Sequence, residues 1–98
     1  MTARAIPDSA IVVAAGEFLD SEFGTEVVIL NLKDGVYYGL EDVGARIWTL
    51  LREPVTIAAI REVLVSEFEV EAARCERDIR KLLGELAARG FLQIREQP

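Results

Sequence analysis

The segment Leu30–Leu50, LNLKDGVYYGLEDVGARIWTL, constrains this chain most. It reads as a strand, a tight Lys33-Asp34-Gly35 turn, a second strand over Val36–Leu40, and an amphipathic helix that starts at once from Glu41 or Asp42. A strand pair that runs straight into a helix must bury one sheet face against that helix, so the expected class is α+β. Val36, Tyr38 and Leu40 fall on one face of the second strand, Tyr37 and Gly39 on the other. That alternation suits a half-buried strand at a sheet edge, where backbone donors and acceptors stay open to a partner's backbone.

Upstream, Ile11–Phe18 reads as a first strand, Asp20–Gly24 as a turn, and Glu26–Leu32 as a strand feeding the Lys33-Asp34-Gly35 turn. These segments predict a three-stranded antiparallel meander, with Val28, Leu30, Leu32, Tyr38 and Leu40 turned toward the helices. Residues 1–8 contain Pro7 and no clear periodicity, and are expected to be a loose lead-in to a single domain over 1–98.

Three helices are expected. The first has its apolar stripe at Val43, Ile47, Leu50 and Leu51, with Trp48 beside it and an acidic residue at its N-terminus, where the helix dipole favours negative charge. Pro54 breaks it. Thr56 is the expected N-cap of the second, with Ile57, Ile60, Val63, Leu64 and Phe68 at helical spacing. The third spans about Glu71–Arg89 and stops at Gly90, a residue suited to a left-handed C-cap. Phe91, Leu92 and Ile94 predict a short closing extended segment.

Composition narrows function. With no histidine and one cysteine among 98 residues, the chain lacks the usual zinc ligand sets and an internal disulfide, so no metal or other cofactor is expected. The missing imidazole also removes the common proton shuttle near neutral pH, and the chain is expected not to be an enzyme. Cys75 falls on the apolar stripe of the third helix and reads as a small buried hydrophobe. Tyr38 reads as a core or groove-lining residue, since a phenol with a pKa near 10 makes a poor acid without a base beside it. Eleven basic against seventeen acidic residues, a formal charge of −6, oppose nucleic-acid binding. No apolar run is long enough to cross a bilayer or to form a signal peptide, so the expected location is the cytoplasm, away from membranes.

On the third helix, Cys75, Ile79, Leu82, Leu83 and Leu86 form one apolar stripe, flanked by a mixed-charge rail of Arg74, Asp78, Lys81 and Glu85. If this helix packs across the sheet near the free edge, the rail and the outer part of the Leu82 face form one wall of a groove. Tyr37–Leu40 form the other.

The residues Leu30-Asn31, Gly35, Tyr37-Tyr38-Gly39-Leu40, Val43-Gly44, Ile47-Trp48 and Leu50-Leu51, with Thr56 and Ile60 and the closing Leu86-x-x-x-Gly90-Phe91-Leu92, resemble the PqqD-like family of peptide-recognition domains over about Ile11–Ile94. The resemblance implies a winged-helix-like element, a three-stranded antiparallel sheet packed on three helices. It implies binding of the leader segment of a ribosomally made precursor peptide. The chain looks like a stand-alone member of the kind found in lasso-peptide pathways, which hands the leader to a separate cysteine-protease-like leader peptidase. A peptide chaperone of the pyrroloquinoline quinone type is the alternative. By the same resemblance, the leader-binding positions fall on Val36, Tyr37, Tyr38, Gly39 and Leu40 and on Arg74, Asp78, Lys81, Leu82 and Glu85.

Two rival readings belong to other classes. A winged-helix DNA-binding regulator would present the third helix to a major groove, and that helix does carry Arg74, Arg77, Arg80, Lys81 and Arg89. Glu71, Glu76, Asp78 and Glu85 interrupt them, so no clean basic stripe forms. A small enzyme using Cys75 or paired acids would need turnover without a partner, against the absence of histidine.

Overall fold

The computed structural model describes residues 6–95. In chain order the elements are β1 (Ile11–Ala14), β2 (Phe18–Phe23), β3 (Glu26–Asn31), β4 (Tyr37–Glu41), α1 (Asp42–Leu50), β5 (Val55–Thr56), α2 (Ile57–Glu67), α3 (Ala72–Ala88) and β6 (Leu92–Arg95). Two three-stranded antiparallel sheets result, β5-β1-β6 and β2-β3-β4. The α+β class and three helices agree with expectation; the second sheet does not follow from the sequence pattern.

Three strand assignments change. Ile11–Ala14 is not the first strand of the meander, because β1 pairs with β5 and β6 instead. Asp20–Gly24 is not a turn: Asp20, Ser21, Glu22 and Phe23 belong to β2, and the reversal is confined to Gly24 and Thr25. A carboxylate in mid-strand resembles a breaker by composition, yet Asp20 Oδ2 accepts a hydrogen bond of 2.7 Å from the indole nitrogen of Trp48, a side chain with no exposed surface. Burying that indole requires a partner for its N–H, and Asp20 supplies it.

The third change concerns faces. Leu40 stands opposite Val27 and Tyr38 opposite Ile29, and opposed residues in an antiparallel pair share a face. Tyr38 and Leu40 do pack on the core, but beside Val27 and Ile29. Val28, Leu30 and Leu32 turn away from the helices. Because Val27-Val28-Ile29-Leu30 is apolar at every position, alternation cannot select the inner face, and the register of the hairpin selects it. That register is set at the turn. The Asn31 side chain accepts from the Lys33 amide at 2.9 Å, Asp34 accepts from the Val36 amide at 2.9 Å, and Gly35 takes φ 72°.

The core gathers α1, α2 and α3 on the inner faces of both sheets. Phe91 sits at its centre, with ring centroids 5.7 Å from Tyr38, 5.9 Å from Phe18 and 6.2 Å from Trp48, all edge-to-face. Thr56 caps α2 as expected, its hydroxyl accepting from the Ala59 amide at 3.1 Å. At the start of α1 no side chain caps the helix; the Asp42 amide bonds the Thr25 carbonyl instead, with Asp42 at φ 49°. α3 ends before Gly90 at φ 79°.

Of the expected loose lead-in, residues 1–5 lie outside the described part, but Ile6–Asp8 are tied down. Arg80 donates to the Ile6 carbonyl and, at 2.6 Å, to Asp8, while Arg61 reaches Asp8 at 3.0 Å and also Glu76. The two guanidiniums hold the Asp8 carboxyl below the usual carboxylate range, the Arg61 hydrogen bond contributing most. No helix among the described residues is long and apolar enough to cross a membrane.

Candidate functional site

Among the described residues, β4 has a neighbouring strand on one side only. The Asn31 amide bonds the Val36 carbonyl at 2.9 Å and the Asp42 amide bonds the Thr25 carbonyl at 3.0 Å. Backbone bonding alternates along an antiparallel ladder, so the residues that bond β3 are Val36, Tyr38, Leu40 and Asp42. The amides and carbonyls of Tyr37, Gly39 and Glu41 therefore point to the open edge. A row of such groups is a template for one more strand.

Beside that edge, α3 closes a cleft with two lobes that share Gly39, Leu40 and Leu82. The larger, about 520 Å³, has an apolar floor of Val27, Val43 and Ile47 and is bordered by Glu26, Glu41 and Asp78. The smaller, about 200 Å³, lies between Ile29 and Tyr38 on the sheet and Leu82, Glu85, Leu86 and Arg89 on α3. The Arg89 guanidinium sits 4.2 Å from the centroid of the Tyr38 ring, a cation–π contact that fixes the phenol as a wall. Gly44 keeps the larger lobe open: a Cβ there would meet Leu40 and Leu82 at 3.7–3.8 Å, so anything longer than a methyl would enter the space between them.

Of the ten residues predicted for the site, the structure brings Tyr38, Gly39, Leu40, Asp78, Leu82 and Glu85 to this cleft. The other four lie elsewhere. Tyr37 is on the outer face of the sheet and 67% exposed, contributing its backbone to the edge but not its ring to the cleft. Val36 sits in the turn, with its carbonyl bonded back to Asn31. Arg74 and Lys81 are exposed on α3 and line neither lobe. Arg74 lies one helical turn before Asp78, and Lys81 is exposed between Asp78 and Glu85 along the rail.

The sequence reading missed Val43, Gly44 and Ile47 of α1, Glu26 and Glu41 at the strand ends, and Arg89. Arg89 carried a legible signal, since it continues the series Asp78, Leu82, Glu85 at helical spacing. The α1 residues carried none, because Val43 and Ile47 look like ordinary core positions until the cleft between helix and strand is known.

Among the described residues no group of histidine, cysteine, aspartate or glutamate side chains could hold a metal ion. Cys75 is buried away from the cleft, and burial, with the nearby Asp78 carboxylate, pushes its thiol pKa up, which keeps it protonated and unreactive.

No curated protein sequence matches the chain. Two solved structures do. TbiB1 in complex with the TbiA(beta) leader peptide is 34% identical, with a TM-score of 0.76 over 83% of this chain and 94% of that one. A lasso peptide synthetase B1 complexed with the leader peptide is 29% identical, with a TM-score of 0.74 over 84% of this chain and 96% of that one. The family model of coenzyme PQQ synthesis protein D (PqqD) matches residues 26–92, which hold the whole cleft, and the chain belongs to the PqqD family.

Proposed function

We propose that this protein binds the leader segment of a ribosomally synthesised precursor peptide as an added strand on β4, and presents it to a separate leader peptidase in lasso-peptide biosynthesis. The observation that carries the reading is the open row of backbone groups on Tyr37, Gly39 and Glu41 beside a two-lobed cleft whose larger lobe has an apolar floor. A peptide laid along that row gains main-chain hydrogen bonds that set its direction, and its alternate side chains turn toward α3 into the lobes. Burying one large apolar side chain there stabilises the complex by about 1.5–3 kcal/mol, against about 0–1 kcal/mol for an exposed ion pair. Apolar anchors therefore set affinity, and Asp78, Glu85 and Arg89 tune register. The neighbours solved with leader peptides support the lasso-pathway assignment over the pyrroloquinoline quinone chaperone.

The protein is a recognition element in this reading, and the chemistry belongs to its partner. DNA binding has no support, because α3 carries no continuous basic face and the chain is acidic. The test is a titration of the protein into a fluorescently labelled leader from the adjacent precursor gene, followed by anisotropy. Saturable binding that a scrambled leader does not reproduce is expected; an equal response to both peptides would sink the proposal.

A further inference from the structure

The sheet β2-β3-β4 has a second surface, opposite the helices, which meets the leader cleft at Glu26, Val28, Gly39 and Glu41 and otherwise lies outside it. Register aligns Leu19, Leu30 and Tyr37 across it in one row and Ser21, Val28 and Gly39 in the next, with Phe23 beyond. Leu19 and Phe23 are each 61% exposed. Seven large hydrophobics stand out as exposed among the described residues, and five of them, Leu19, Phe23, Leu32, Val36 and Tyr37, belong to this sheet and its turn. Three strands about 4.8 Å apart and about 20 Å long give this face a footprint of roughly 300 Å², within which Leu19, Phe23, Val28, Leu30 and Tyr37 form an apolar patch of the kind that marks contact sites on monomers.

Charge selects the occupant. The segment 17–41 carries six acidic side chains, Glu17, Asp20, Glu22, Glu26, Asp34 and Glu41, against Lys33 alone, a net −5 of the chain's −6. Arg52 pairs with Asp20 and Glu22 at 3.1 and 3.0 Å, which leaves Glu17 and Asp34 at one end of this face and Glu26 and Glu41 at the other, where they also border the cleft, as an acidic rim. A stable interface buries about 800 Å² per partner, so whatever covers the apolar centre must also cover that rim. Two copies face to face would oppose like charges. We infer that the outer face of β2-β3-β4 docks a folded protein partner whose contact patch is apolar at its centre and rich in lysine and arginine at its rim.

The inference rests on the proposed leader-presenting role, for which it names where the receiving enzyme sits. The outer face meets the open edge at Tyr37 and Gly39. A strand added to β4 turns every second side chain toward α3 and the alternate ones toward this face, so an enzyme docked here lies against the peptide it receives.

The test uses the purified leader peptidase of the same pathway, without leader, and the double variant Leu19→Ser/Phe23→Ser. Wild type should bind the peptidase with an affinity that falls at least threefold between 50 and 300 mM salt, as screening of an acidic rim requires. The double variant should lose at least tenfold in that affinity, with its circular-dichroism spectrum intact and its leader Kd within twofold of wild type. Leu19→Arg, which places a cation on the same face, should weaken binding in the same sense. Peptidase binding that is absent in wild type, or equal in wild type and a folded double variant, would overturn the inference. So would sedimentation showing a wild-type dimer that the double variant dissociates, since the occupant would then be a second copy. Wild type that binds the peptidase but not the leader would instead refute the leader-binding role and leave the docking surface standing.

Discussion

The two sheets have the same strand count and the same antiparallel pairing, and are built for opposite ends. β5-β1-β6 is short, with strands of two, four and four residues, and it joins segments from the start, middle and end of the chain. β2-β3-β4 is a continuous hairpin series whose last strand keeps a free edge and whose outer face stays bare. The first closes the fold at the cost of long-range ordering, while the second forms locally and keeps backbone and apolar surface available to partners. Fold stability and binding capacity are thus divided between two pieces of β-structure, and substitutions should separate them.

The largest expected effect is on the closing sheet. Gly16 has φ 94°, and a Cβ there would stand 2.3 Å from the Gly90 carbonyl oxygen, at the corner where the Ala15 amide bonds the Phe91 carbonyl at 2.9 Å. Gly16→Ala should destabilise by about 1–3 kcal/mol, lowering the melting temperature by about 4–8 °C per kcal/mol, with leader affinity preserved while the variant is folded. A matched loss of leader binding in folded protein would show that the two sheets are not separable.

On the open side, Gly44→Leu should fill the space between Leu40 and Leu82 and raise the leader Kd by more than tenfold, whereas Gly44→Ala should bind normally and gain about 0.5–1 kcal/mol of helix stability. Anisotropy and thermal melts on both variants check the pair. Gly39→Pro removes an edge-facing amide without touching the β3 ladder, and proline is tolerated at such positions. Leader affinity should fall about tenfold, equivalent to about 1.4 kcal/mol, and an unchanged isotherm with an intact spectrum would count against strand addition at this residue. Asp78→Lys should change affinity only several-fold, and only for a leader with a basic residue near the larger lobe, in keeping with an exposed charge.

The smallest effect is on pH dependence. Asp8 and Glu67 are held below their ordinary values, Asp8 chiefly by its hydrogen bond to Arg61 and Glu67 chiefly by its hydrogen bond to Arg46. Depressed carboxylates contribute stability that is complete above their unfolded values near 4 and is lost as pH falls through the lower folded values. Melting temperatures should therefore decline below about pH 4, with a shallower decline in Asp8→Asn.

Much of this was legible in the chain. Turn chemistry at Lys33-Asp34-Gly35, the Thr56 cap, the Pro54 break and the apolar spacing along α3 are local, and local physics predicts them. Strand alternation and helical spacing, with the family resemblance, pointed to Tyr38, Gly39, Leu40, Asp78, Leu82 and Glu85, which the structure brings to one cleft. Asp20 was misread because its partner, Trp48, lies 28 residues away, and Ile11–Ala14 because its partners, Val55–Thr56 and Leu92–Arg95, are invisible to periodicity.

By itself, then, the sequence determined the helices, the hairpin and the apolar stripe of α3, because each depends on residues within a few positions of one another. Only the tertiary structure decided which face of β3 is buried, which backbone groups of β4 stay free and where α1 meets α3 to open the cleft. These depend on register and on contacts between distant segments, and a strand that is apolar on both faces leaves that choice to packing.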